Sequence, residues 1–134
     1  MKKIISVLSG CLLLFTSFAQ DTNLRKKHFN IDNGIAVGGY DAVAYFEQSK
    51  AVKGNKNHAE VHEGVTYYFS SVANKEEFKK NPAKYEPTYG GWCAYAMGSN
   101  GDKVSVDPKT FKIVNGKLNL YYNRFFSNTL EDWN

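Results

Sequence analysis

The run Phe111-Lys112-Ile113-Val114-Asn115-Gly116-Lys117-Leu118-Asn119-Leu120 constrains the fold more than any other part of the chain. Asn-Gly readily supplies the two successive left-handed residues of a tight hairpin turn. A turn at Asn115-Gly116 sets Val114 opposite Lys117, Ile113 opposite Leu118 and Phe111 opposite Leu120, so both apolar pairs fall on one face. A small sheet with one apolar face has to cover it, most simply with a helix.

A second hairpin is expected from His58 to Phe69. His58, Glu60 and His62 would share one face and Ala59 and Val61 the other, with Glu63-Gly64 as the reversal and Val65 to Phe69 returning. Ser70 or Ser71 then caps a helix from Val72 to about Lys80, with Glu76 and Glu77 on its early turns and Lys79 and Lys80 at its end, as the helix dipole favours. Asn81-Pro82 stops it, because the residue before proline is driven out of the helical region. The expected fold class is α+β, a small antiparallel sheet built from two hairpins and covered by one or two short helices. No internal repeat or low-complexity segment is read.

The N-terminus has the composition of an export signal. Lys2 and Lys3 precede a mostly apolar stretch from Ile4 to Phe18, and Ser17-Phe18-Ala19 fits a small-x-small cleavage rule. Ser6, Ser9 and Gly10 interrupt the stretch, which falls short of the about 20 apolar residues needed to span a bilayer, so no membrane span is expected. Leu8-Ser9-Gly10-Cys11 resembles a bacterial lipoprotein box, which offers a lipid anchor at Cys11 as the rival processing route. The expected organisation is a signal peptide over 1–19, a polar flexible leader over 20–34 and one domain over 35–134, in a periplasmic or secreted bacterial protein. The signal holds two lysines and no acid, so the formal charge of +4 falls to +2 on its removal. That charge is mild and scattered, with Arg25-Lys26-Lys27 as its one cluster, and no nucleic-acid partner is expected.

Cleavage would also remove one of the two cysteines and leave Cys93 alone. A lone thiol is buried, metal-bound or reactive, and the residues leave all three open. On a helix Cys93 and Met97 would present their sulfurs on one side, from Cβ atoms about 6 Å apart, close enough to share one soft metal. On a strand they would lie about 13 Å apart, and the same geometry separates His58 from His62. Gly90-Gly91 as an entry, with Ala94 and Ala96 as helix formers, favours a short helix beginning near Trp92. Asp41, Glu60 and Glu63 are isolated carboxylates and form no recognisable acid-base pair. Gly98 to Asp102 lacks the spacing of a calcium loop and reads as a plain turn.

Tyr67-Tyr68-Phe69-Ser70-Ser71, followed by Phe78 and then Asn81-Pro82-Ala83-Lys84-Tyr85, resembles the YHS domain family, small modules of bacterial metal-handling proteins that include some heavy-metal pumps. Gly38-Gly39-Tyr40-Asp41-Ala42-Val43-Ala44-Tyr45-Phe46 and Tyr89-Gly90-Gly91-Trp92-Cys93-Ala94-Tyr95-Ala96 are similar to the exported, stand-alone branch, so the likeness covers about Ile35 to Tyr122. The pump version resembles Tyr-Tyr-Phe-Cys-Ser-x-x-Cys, and here Ser70 and Asn74 stand at the two cysteine positions. Hydroxyl and amide are poor ligands for Cu(I) or Zn(II), so metal binding does not carry over there.

The resulting expectation is a non-enzymatic binding module that handles a transition metal, with copper as the favoured ligand. Cys93 would be the principal donor, Met97 and His58 or His62 would complete the site, and a protein partner would exchange the metal. Tyr45, Tyr89, Trp92 and Tyr95 would form an aromatic wall. Two alternatives stand beside it: a thiol-redox protein using Cys93, and a module binding a small molecule or protein through a tyrosine-rich cleft, with Cys93 purely structural.

Overall fold

The computed structural model describes residues 21–134, so the expected signal peptide, its expected cleavage near Ala19 and the rival lipid anchor at Cys11 lie outside the described residues. The chain is a mixed α+β fold of short helices and small sheets.

The Asn-Gly turn does what its chemistry demands. Strands β5 (Asp107–Val114) and β6 (Lys117–Tyr121) pair antiparallel with Val114 opposite Lys117, Ile113 opposite Leu118 and Phe111 opposite Leu120. The earlier hairpin is equally regular: β3 (Asn55–His62) pairs with β4 (Val65–Phe69) across Glu63-Gly64. Alternation along β4 buries Val65, Tyr67 and Phe69 and leaves Thr66 and Tyr68 half-covered. On β3 it is the histidine face that turns inward at the turn end, since Val61 is 61% exposed while His62 lies edge-on to Phe78 with ring centroids 6.0 Å apart.

Helix α3 (Val72–Lys80) begins where Ser71 accepts a hydrogen bond from the Asn74 N–H, and it ends at Asn81. Its one buried residue, Phe78, packs on Tyr67 and Phe69 with centroids 4.8 and 5.0 Å apart. Pro82 then opens the single turn α4 (Pro82–Tyr85). The helix packs over β3 and β4.

The two hairpins do not join into one sheet, which corrects the expected layout. The free edge of β4 is taken by β2 (Ile35–Ala36), paired in parallel and itself antiparallel to β1 (Ile31–Asp32). At β6, Leu120 forms a parallel bridge with Cys93. With those edges occupied, the hairpins meet through side chains, and Val65, Tyr67, Phe69, Leu118 and Leu120 belong to one buried cluster.

The expected flexible leader is likewise corrected. Residues 21–28 form helix α1 and residues 31–32 a strand. Arg25 on α1 reaches Glu86 Oε2 at 2.6 Å, where the Tyr67 hydroxyl also donates at 2.6 Å, and its guanidinium sits 4.4 Å from the Phe29 ring centroid. A polar sequence has no hydrophobic period to announce such a helix. What holds it is a half-buried charge-assisted network.

The remaining helices expose the deeper plan. α2 (Ala44–Glu47) and α5 (Ala94–Ser99) each follow a left-handed turn, at Val37-Gly38-Gly39 and at Tyr89-Gly90-Gly91, with φ of 57, 58 and 79° in the first and 55, 62 and 91° in the second. A shift of 52 positions, 38 to 90, superimposes the two halves of the chain. It carries β3 onto β5 and β4 onto β6 end for end, with the same break in register near the start of each hairpin. It also carries Ser49 onto Gly101, Glu63 onto Asn115 and Gly64 onto Gly116, all with positive φ. The N–H of Asp41 bonds Val52 O at 2.8 Å, and that of Cys93 bonds Val104 O at 2.9 Å.

Two copies of one helix–turn–hairpin unit therefore make the fold, contrary to the reading of no internal repeat. The identities under this shift are Gly38/Gly90, Gly39/Gly91, Ala42/Ala94, Ala44/Ala96, Val52/Val104 and Gly64/Gly116. Half of them are glycines at left-handed positions, where backbone geometry restricts the residue type. The other pairs are free to differ, so side-chain patterning alone conceals the duplication.

Candidate binding groove

Cys93 is the N-cap of α5 and is 0% exposed. Its Sγ accepts the Tyr122 N–H at 3.3 Å and lies 3.3 Å from Thr129 Oγ1, at the start of helix α6 (Thr129–Trp133). The Thr129 hydroxyl donates its proton to Tyr122 O at 2.8 Å, so the thiol is the donor to Thr129. The sulfur's two polar partners are thereby used within the fold.

The equivalent position in the first half is Asp41, also 0% exposed. Its Oδ1 accepts the N–H groups of Val43 and Ala44 at 2.9 and 3.1 Å. Its Oδ2 accepts the Ser70 N–H at 2.8 Å, the Ser70 hydroxyl at 2.6 Å and the Asn74 side-chain amide at 2.8 Å. Ser70 and Asn74, the positions of the pump version's cysteines, thus converge on a carboxylate whose hydrogen-bonding capacity is filled.

The expected metal donors do not form one set. Cys93 faces Tyr122 and Thr129, whereas His62 Nε2 lies 3.8 Å from Glu86 Oε1 and 3.9 Å from Glu63 Oε1, and His58 is half-buried on β3. Met97, one turn after Cys93, contributes to a surface groove that Cys93 does not line. Among the described residues no group of three His, Cys, Asp or Glu could hold a metal ion. This arrangement lends no support to a copper site centred on Cys93.

The aromatic wall is divided as well. Tyr45 is 1% exposed, donates its hydroxyl to Pro108 O at 2.7 Å and packs edge-on to Phe111, so it is core. Tyr95 is 36% exposed on the far side of α5 from the buried Ala94 and Ala96 and lines no groove described here. Tyr89 and Trp92 do come together with Met97, in a groove of about 220 Å³ completed by His28, Phe29, Gly90 and Lys103.

The far wall of this groove comes from the segment read as a leader. The Asn30 N–H bonds Gly90 O at 2.9 Å and its side-chain amide bonds Gly91 O at 3.1 Å, clipping residues 28–30 to the Tyr89–Gly91 turn. The indole N–H of Trp92 donates to His28 O at 2.6 Å. A Cβ on Gly90 would come within 3.2 Å of Phe29, so only glycine allows this approach without displacement. Lys103 Nζ lies 3.1 Å from His28 Nδ1 and 6.0 Å from the Trp92 ring centroid. Since an ammonium only donates, Nδ1 is the acceptor in this contact.

His28, Phe29 and Lys103 were not singled out from sequence, and nothing in their neighbourhood marked them, because they enter the site through α1 and a loop without apolar period. A wider polar depression of about 460 Å³ lies beside the Val37–Gly39 turn, with Asp32, Lys53 and Arg124 on its walls. Compared with protein-family models, with curated proteins and with solved structures, the chain matches none.

Proposed function

We propose that the protein is a non-enzymatic binding module of the exported YHS type, whose ligand is a small flat apolar group bearing a negative charge. The apolar part lies among Tyr89, Trp92, Phe29 and Met97, and the anion meets Lys103 at the rim. Cys93 is a structural residue in this reading.

The observation that carries it is the backbone of Tyr89. Left-handed φ in a residue with a Cβ costs about 1–2 kcal/mol. At Val37, the equivalent position, that strain accompanies a side chain only 3% exposed, so packing accounts for it. At Tyr89 the ring is 44% exposed, and packing does not. Backbone strain of this kind clusters at ligand clamps, and at Tyr89 it holds a half-exposed residue on the groove.

Copper handling has weaker support. Met97 and His28 share the groove, but two donors fall short of the usual set, and the Lys103 ammonium would repel an entering cation. The redox reading requires an attackable thiol, and Cys93 is sealed.

Calorimetric titration with indole-3-acetate, and with uncharged indole for comparison, tests the proposal. Saturable binding of the acid, weakened by Lys103→Gln toward the level of indole, is the expected result. Binding that ignores both Tyr89→Gly and Lys103→Gln overturns it.

A further inference from the structure

The second half of the chain contains one element the first half lacks. After Ser70 the first half enters α3 at Val72, whereas after the equivalent Tyr122 the chain inserts strands β7 (Asn123–Arg124) and β8 (Ser127–Asn128) before α6. Phe125 and Phe126 form the tip of this hairpin and are 95% and 108% exposed. Phe125 also has a left-handed φ of 56°. Two aromatic rings in water and a strained backbone therefore coincide in an insertion that the equivalent junction does without.

We propose that this tip inserts into the interfacial layer of a lipid bilayer. The occupant follows from area and shape. Two phenylalanine side chains bury about 150–250 Å² each, well below the roughly 800 Å² per partner of an ordinary protein interface. The stalk that carries them, Asn123, Arg124, Ser127 and Asn128, is polar and adds no apolar rim. A convex apolar point on a polar stalk suits a medium that can close around it, and lipid does so. The stalk carries one positive charge, the exposed Arg124, and β7 adjoins β5, where Lys109 and Lys112 are exposed, while Glu131 and Asp132 lie on α6.

The test uses the full chain with mixed phosphatidylcholine and phosphatidylglycerol vesicles, in parental, Phe126→Trp and Phe125→Ser/Phe126→Ser forms. The indole introduced by Phe126→Trp should add a blue-shifted emission that brominated lipid quenches, and this readout reports the tip whether or not the N-terminal segment also holds the vesicle. Vesicle partition of the double variant should fall by about tenfold or more, with its melting temperature unchanged because the rings pack on nothing. A water-like, unquenched emission overturns the proposal. So does a concentration-dependent dimer that vanishes in the double variant without any lipid quenching, which would make a second copy of the chain the occupant.

Discussion

Asp41 and Cys93 occupy the same position in the two halves of the molecule, each accepting the N–H of the residue that follows its hairpin, Ser70 at 2.8 Å and Tyr122 at 3.3 Å. In both halves one buried polar side chain ties the end of the returning strand to the start of a helix. The carboxylate does this with five donors and the sulfur with two partners, so the first lock is the stronger.

Asp41→Ala should therefore destabilise the protein by about 3 kcal/mol or more, because it leaves buried donors unpaired. Chemical denaturation with matched m-values checks this. A loss below about 1 kcal/mol would mean that water replaces the carboxylate.

Cys93→Ala should cost about 1–3 kcal/mol and leave copper affinity where it was. In the parent, a thiol reagent should modify Cys93 only as fast as the protein opens. Rapid labelling of the folded protein would reinstate a reactive thiol.

Relieving the strain should have opposite effects at the two equivalent turns. Tyr89→Gly should raise stability by about 1 kcal/mol while abolishing aromatic-acid binding, since the left-handed backbone becomes free and the groove loses a wall. Val37→Gly should lower stability by about 1 kcal/mol or more, because the lost burial outweighs the relief. Thermal melts of both variants decide it, and parallel shifts would remove the distinction drawn between the positions.

The Tyr121 hydroxyl is buried without a hydrogen-bond partner among the described residues. Tyr121→Phe should consequently be neutral or stabilising, as it removes an unsatisfied group and keeps the ring against Trp133. A marked loss of stability would reveal a partner for the hydroxyl.

Stability should fall in alkali as pH rises from about 10 toward 12. Burial pushes Tyr85 up to about 12, aided by its hydrogen bond to Glu77, and pushes Tyr121 up to about 12, aided by nearby Cys93 and Tyr89. Tyr45 and Tyr67 are raised further, again mainly by burial. Each group keeps its proton when folded and loses it near 10 when unfolded, so the folded state holds more protons in that window and loses stability through it. Denaturation followed across pH 9–12, alongside tyrosinate absorbance, tests the sign.

Much of the fold was legible because its signals are local. Asn115-Gly116 and Glu63-Gly64 fixed two registers, and Ser71 and Asn81-Pro82 bounded α3. Cys93 at the start of a short helix was also legible, whereas of the expected wall of Tyr45, Tyr89, Trp92 and Tyr95 only Tyr89 and Trp92 share a groove. The histidines could not be placed, because the face of β3 that turns inward is decided by Phe78 from α3, outside the strand's own pattern. The groove's other wall was hidden for the same reason, since His28 and Phe29 are set by Arg25 and Asn30 reaching residues far along the chain.

The most direct test of the binding groove is a residue-resolved amide NMR titration with indole-3-acetate. Saturable shifts confined to Tyr89, Gly90, Trp92, Met97, Lys103 and the facing residues 28–30 are predicted. Shifts centred elsewhere, or none at saturating ligand, would contradict the assignment.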